Sequence, residues 1–348
     1  MSEIKLGIIG GGQLGSMLAS AAKKLNIKTT IYCDDQDAPA QKFCDEFIYG
    51  EYNNKDKIYE FAGKVDIITY EFENIPFETL NELNKLKTVL PKPSVNRLIQ
   101  HRLAEKDFIN KLNIRTTRYT HIEKKEDLLP LNDFLPGILK TTTMGYDGKG
   151  QYPIKHLEQI DSLNINFKND YILEKLVKLK KEISVIITRF NNNKYEIYEP
   201  IENTHENQIL KHSKIPAEIN QKLFDQSREW SIIIAEELKY IGTLCVEFFI
   251  DRNDNLYVNE IAPRVHNSGH LTINAYNVSQ FENHIRAVCS LEQTPLKKIS
   301  NAEMINLIGK QIIPYRESPK INDNQFLFDY LKKEIKEKRK MGHLTTLK

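Results

Sequence analysis

The chain has 348 residues, and 49 Lys+Arg against 47 Asp+Glu leave a formal charge of +2. That balance disfavours a protein that wraps a polyanion, which would carry a basic surplus, and 40% apolar content disfavours disorder. No apolar run nears the roughly 18 residues of a membrane helix, and Met1-Ser2-Glu3-Ile4-Lys5 lacks the apolar core of a signal peptide. The cysteines Cys33, Cys44, Cys245 and Cys289 form no C-x-x-C pair, as expected in a reducing cytosol. These features predict a soluble cytoplasmic enzyme of two or three domains.

Ile4 to Ile9 predicts a short buried strand running into Gly10-Gly11-Gly12-Gln13-Leu14-Gly15, and Ser16 to Leu25 predicts a helix. Further strands are expected over Lys28–Cys33, ending in Asp34-Asp35, and Val65–Tyr70, ending in Glu71-Phe72-Glu73-Asn74. Strands separated by helices predict a parallel sheet covered on both faces. This lobe ends near residue 95, with Pro91-Lys92-Pro93-Ser94 as its exit and Ser94 as cap of a helix over Val95–Leu112. From Pro136 the pattern changes to strands and hairpins: Ile138–Lys140, Gln151–Ile154, Tyr171–Glu174, Glu182–Thr188, Thr243–Ile250 and Leu256–Ile261. Helices are expected over Gln221–Lys239 and Phe281–Val288, and the tail Lys332–Lys340 is strongly basic.

Two glycine loops differ in kind. Gly10, Gly12 and Gly15 satisfy G-x-G-x-x-G between a strand and a helix, with Asp34 and Asp35 near a ribose-binding position. The loop fits a dinucleotide, another anionic substrate, or a tight turn alone. The second loop, Gly145, Tyr146, Asp147, Gly148, Lys149, Gly150 and Gln151, follows Lys140 and leads into a strand rather than a helix. It is therefore not a P-loop. Its backbone N–H groups, with Lys140 and Lys149, suit a triphosphate.

Glu247 and Glu260 lie on the two strands of one hairpin. A symmetric turn between Asn253 and Asp254 would set them directly opposite each other. Two close carboxylates in apolar surroundings call for a cation, and magnesium is the natural one. Asn259 to His270 reads Asn-Glu-Ile-Ala-Pro-Arg-Val-His-Asn-Ser-Gly-His. His266 and His270 are spaced for zinc, but Asn267-Ser268-Gly269 opposes a helix and no cysteine is expected nearby. Arg264 suits an anion clamp, with a structural salt bridge as the alternative.

Together these segments resemble the ATP-grasp ligases, and among them the family of N5-carboxyaminoimidazole ribonucleotide synthetases. The resemblance runs from Gly11–Gly15 and Tyr70–Asn74 through the second glycine loop, Glu174–Val177, Glu182–Val185 and Glu202–His205. It continues through the Asn259–His270 run, Ile305–Gly309 and Arg339–Leu344. The Asn259–His270 run is its most specific part. It implies a mixed α/β and α+β chain: a Rossmann-like domain over 1–95, an ATP-grasp domain over 96–272 and a small β-rich domain over 273–348. ATP contacts are implied for Arg97, Lys140, the Gly145–Gln151 loop, Glu174, Lys175, Leu176, Val177, Glu182, His205, Asn259 and Glu260. Magnesium is implied at Glu247 and Glu260. The nucleotide substrate would sit by Gln13, Glu73, Arg264, Lys333, Arg339 and Lys340. The tail departs from the family at Asp329-Tyr330-Leu331-Lys332-Lys333, where many relatives carry His-x-Tyr-Gly-Lys.

The implied reaction joins bicarbonate to 5-aminoimidazole ribonucleotide at the expense of ATP. Lys140 and Arg264 would stabilise charge, and His266, with Asn267 or released phosphate as substitutes, would accept a proton. A homodimer is also implied. Competing readings are another ATP-grasp ligase, such as formate-dependent glycinamide ribonucleotide transformylase, and a dinucleotide-dependent oxidoreductase built on Gly10–Gly15. The latter leaves the Glu247/Glu260 pair and the second glycine loop without a use.

Overall fold

The computed structural model describes residues 4–143, 150–163 and 165–348. Gly145, Tyr146, Asp147, Gly148 and Lys149 lie outside the described residues.

The first lobe is β1 (Lys5–Ile9), α1 (Gln13–Lys24), β2 (Lys28–Cys33), β3 (Glu46–Tyr49), α2 (Lys55–Lys64), β4 (Ile67–Tyr70), α3 (Phe77–Leu86) and β5 (Thr88–Val89). All strands are parallel, in the order β3-β2-β1-β4-β5. Central β1 is buried from Leu6 to Ile9, as a strand covered on both faces must be. The short edge strands β3 and β5 carry no clean pattern of their own, and pairing to their neighbours creates them.

The helix expected over Val95–Leu112 is two helices, α4 (Pro93–Ile99) and α5 (Arg102–Lys111). The break falls at His101, whose Nδ1 accepts from Ala104 N and starts the second helix. Ser94 is not a cap: Pro93, with its preset φ, opens α4 two residues before the expected start at Val95.

A small antiparallel sheet follows: β6 (Tyr119–Ile122), β7 (Gly137–Thr141), β8 (Gln151–Ile154) and β9 (Tyr171–Lys175), ordered β6-β9-β7-β8. Residues 176–178 cross to a larger sheet built from β10 (Leu179–Arg189), β11 (Tyr195–Ile197), β12 (Ile201–Glu206), β13 (Ile209–Ile215), β14 (Gly242–Asp251) and β15 (Leu256–Ala262). α6 (Gln221–Glu237) and α5 pack on it, burying Ile109, Leu223 and Ile234 against Val185, Val246 and Val258.

After α7 (Thr272–Ala275) and α8 (Gln280–Val288) come β16 (Ala302–Ile308), α9 (Ile313–Glu317), β17 (Gln325–Asp329) and β18 (Lys340–Leu347). These last strands extend the large sheet through β13–β16 pairing, so its path reads β15-β14-β10-β12-β13-β16-β18-β17. α8 turns back to the first lobe, where Phe281, Ile285 and Val288 share a core with Leu6, Leu18 and Ile31. Among the described residues, no helix is long and apolar enough to cross a membrane.

Candidate active site

The first glycine loop already holds an anion of its own. Glu71, at the end of β4, accepts from Gly12 N at 2.5 Å and also from Gly15 N. Burial pushes its carboxyl up, against the pull of those two N–H groups, Lys332 and Arg264. The donors that would meet a dinucleotide phosphate are thus engaged by the protein, and the loop serves as a turn locked by Glu71. Gly10 sits at φ +100°, where glycine is favoured.

The described part of the second glycine loop opens on a buried charge cluster. Lys140, from β7, is 3.1 Å from one oxygen of Glu174 on β9. Lys106, from α5, is 3.5 Å from the other oxygen and donates to Thr117 Oγ1 and to the Asn259 carbonyl. Burial works to raise the Glu174 carboxyl, but Lys106, Lys140 and Thr117 together hold it at about 2. Burial and neighbouring Lys140 depress Lys106 although Glu174 opposes them. Two ammonium groups share one carboxylate, so the cluster has room for further negative charge.

The Glu174 side chain therefore belongs to this cluster. Lys175 turns its ammonium to the Asp133 carbonyl. The Lys175 and Leu176 N–H groups bond to the carbonyls of Arg118 and Pro136. Leu176, 49% exposed, is left as apolar surface at the crossing strand, with Val177 beside it.

Glu247 and Glu260 are paired residues of β14 and β15. The turn expected between Asn253 and Asp254 is centred instead on Asn253, and a bulge at Asn259 restores the Glu247–Glu260 pairing. Burial works to raise Glu247, but His266, His205 and Arg264 hold it down. Desolvation and the Glu247 charge raise Glu260, opposed by Arg102 and Lys140. One carboxyl is pushed down and its partner up, as two like charges sharing a site demand. All-oxygen donors beside a cationic cluster fit magnesium by their chemistry.

His266 Nε2 is 3.0 Å from Glu247 Oε1, and its Nδ1 meets Ser268 Oγ at 2.9 Å. Asn203, Ser184 and Ser268 form a hydrogen-bonded chain behind that ring. The segment after His266 is helical after all: a 3-10 turn over Asn267–Leu271 runs into α7. The Asn267 amide exchanges two hydrogen bonds with Asn306 of β16, away from the carboxylates. His270 is fully buried and held well below ordinary imidazole by burial and by His343, so it is a core residue. A cysteine does lie close to His266 in space: Cys245, two residues before Glu247. His205 Nδ1 is 2.5 Å from Glu182 Oε2.

On the first-lobe side, Arg264 and Glu73 form a bidentate ion pair, with Nη2 2.8 Å from Oε1. The geometry is that of the salt-bridge alternative: Nε and Nη2 meet Glu73, and Nη1 donates to the Val265 carbonyl. Gln13 Oε1 accepts from Lys332, 2.9 Å away, and Lys332 also donates to the Lys340 carbonyl. Lys340 lies near enough to His205 and His270 to oppose their protonation. Lys333 instead pairs with Asp37 on the surface, 70% exposed, and Arg339 donates to the Glu334 carbonyl.

Arg97 stacks on the Phe77 ring at 4.7 Å. Arg102 is the arginine that reaches the Lys140 strand, donating to the Thr141 carbonyl at 2.8 Å. Sequence reasoning missed Arg102, Lys106 and Glu105. Glu105 is buried, accepts from Ile261 N, and is pushed up to about 8 by burial and Glu260. The signal was present: charged residues at 105 and 106 share the buried face of α5 with Ile109.

The small sheet, the large sheet and the cation cluster meeting the paired acids between them define an ATP-grasp enzyme, and residues 107–281 match the ATP-grasp domain family. Residues 3–100 match the ribonucleotide synthetase preATP-grasp domain, and 302–348 the phosphoribosylaminoimidazole carboxylase C-terminal domain. The N5-carboxyaminoimidazole ribonucleotide synthase of Bacillus subtilis is 39% identical, covering 99% of this chain and 91% of its own. The Staphylococcus aureus N5-carboxyaminoimidazole synthetase complexed with ADP superposes with a TM-score of 0.92 at 36% identity, over 99% of this chain and 93% of that one. The Aspergillus clavatus synthase, solved with ADP and 5-aminoimidazole ribonucleotide, gives 0.91 at 26% identity, over 99% and 94%. The chain belongs to the N5-carboxyaminoimidazole ribonucleotide synthase family.

Proposed function

We propose that the chain carboxylates the exocyclic amine of 5-aminoimidazole ribonucleotide, using ATP and bicarbonate and releasing ADP and phosphate. The observation that carries this is the opposed Glu247/Glu260 pair within electrostatic reach of Lys140 and Arg102. Lys140, Lys106 and Arg102 bind and orient the ATP phosphates, and Leu176 and Val177 receive the adenine. Glu247 and Glu260 would hold magnesium, which supplies charge neutralisation on the phosphates. A bicarbonate oxygen attacks the γ-phosphorus to give carboxyphosphate, whose carboxyl the amine captures. His266, oriented by Ser268, takes the amine proton. Gln13, the Glu73–Arg264 pair, Lys332 and Lys340 position the ribonucleotide, with Arg339 and Lys333 further out on the tail. The same reading places the enzyme in the cytoplasm as a homodimer.

The test is ADP release assayed with each substrate withheld in turn. Release should require both aminoimidazole ribonucleotide and bicarbonate, with no absorbance change from added nicotinamide cofactor. Dependence on formate and glycinamide ribonucleotide would favour the related transformylase instead. Glu260→Gln should abolish turnover with the fold intact, and wild-type turnover in that variant would remove the metal role.

A further inference from the structure

Beside Glu247 stand two further donors, Cys245 and His266, that magnesium chemistry leaves unused. Side chains alternate along β14, so Cys245 and Glu247 project to the same face. His266, just beyond β15, reaches that face from the other side, with Nε2 3.0 Å from Glu247 Oε1. One ligand atom from each of these residues lies within 4.8 Å of the other two. Ligands held 2.0–2.3 Å from one tetrahedral ion stand roughly 3.5 Å apart, so shifts of about an ångström close the set. The ring of His266 is already oriented, because Ser268 Oγ holds Nδ1 at 2.9 Å and Ser184 Oγ backs Ser268 at 2.7 Å. Metal-binding histidines need such a partner on the second nitrogen. Glu247 and His266 each keep 14% of their side-chain surface exposed, which leaves the cleft side open for entry and for a fourth ligand.

We propose that Cys245, Glu247 and His266 form a three-ligand site for a borderline-soft divalent ion of the zinc type, and that filling it inhibits the enzyme. Thiolate, imidazole and carboxylate together suit zinc or cobalt, whereas magnesium takes oxygen ligands and gains nothing from sulfur. Cys245 is fully buried, and its thiol proton passes to solvent when the ion binds. The bound ion removes Glu247 from the carboxylate pair and His266 from proton transfer. Binding needs only the three side chains; the inhibition rests on the roles proposed above for Glu247 and His266.

The full chain, free of magnesium, is titrated with cobalt(II) alone while the near-ultraviolet thiolate-to-cobalt band is followed. A saturable band is expected in the wild type and none in Cys245→Ala or the size-matched Cys245→Ser. Both variants should keep wild-type turnover with magnesium, and Cys245→Ala should need about tenfold or more zinc for half-inhibition. A wild type with no thiolate band, or a band persisting in both variants, would overturn the site. Saturable cobalt binding without zinc inhibition would uphold the site and count against the roles given to Glu247 and His266.

Discussion

Glu174 shows how one side chain sets the chemistry of its neighbours. It lies 3.1 Å from Lys140 and 3.5 Å from Lys106, in a place closed to water. Removing its charge strands the buried Lys106 ammonium and the half-buried Lys140 one, a change that costs about 3–5 kcal/mol. Glu174→Gln should lose that much in urea unfolding at neutral pH. The pH dependence has a definite sign. The carboxyl is held at about 2, below an ordinary glutamate's 4.5, so between these values the unfolded chain binds more protons. The stability it contributes is present above about pH 4.5 and lost as pH falls toward 2. In Glu174→Gln the stability profile over that window should be flatter than in wild type, and an unchanged slope would contradict the pairing.

At the scale of elements, the β1–α1 turn and the β14–β15 hairpin each depend on a departure from regularity. The turn packs so tightly that a Cβ at Gly15 would lie 2.6 Å from the Gly10 carbonyl oxygen. Backbone cannot yield as a flexible side chain does, so Gly15→Ala should destabilise by about 1–3 kcal/mol, read as a lower urea midpoint at unchanged slope. In the hairpin, the bulge at Asn259 brings Glu260 opposite Glu247. Without it, the register set by Phe249–Tyr257 would leave the two acids out of step, and one of them would face the other side of the sheet. The sequence argument reached the right pair by assuming a symmetric turn; the protein reaches it with an asymmetric turn and a compensating bulge. Elements with strong internal pattern, such as β2 and α6, were legible, whereas β3 and β5 exist only through their neighbours.

Over the whole molecule, sequence order and spatial order part company. α8 lies between β15 and β16 of the large sheet in the chain but buries Phe281, Ile285 and Val288 in the first-lobe core, where Tyr330 from near the C-terminus joins them. The first lobe therefore shares one of its cores with α8 and the C-terminal segment. Phe281→Ala should cost about 3–5 kcal/mol and lower the midpoint of the entire transition. Calorimetry should show one cooperative transition in wild type, and separate melting of a first lobe would count against the shared core. The same arrangement carries the tail back to the cleft, where Lys332 meets Gln13 across nearly the full length of the chain.

The sequence by itself determined the chemistry available: two glycine loops, an acid pair, a histidine-rich run and the family these spell. Such features depend on residue type and short spacing, which local backbone geometry preserves. Which residues meet was decided only by the tertiary structure, because crossovers and sheet order set contacts between distant segments. Glu71 fills the first glycine loop from the end of a different strand. Arg102 rather than Arg97 reaches the Lys140 strand, because the predicted helix breaks at His101. Lys332 rather than Lys333 faces Gln13, and Cys245 comes beside His266 through strand pairing that separation along the chain conceals.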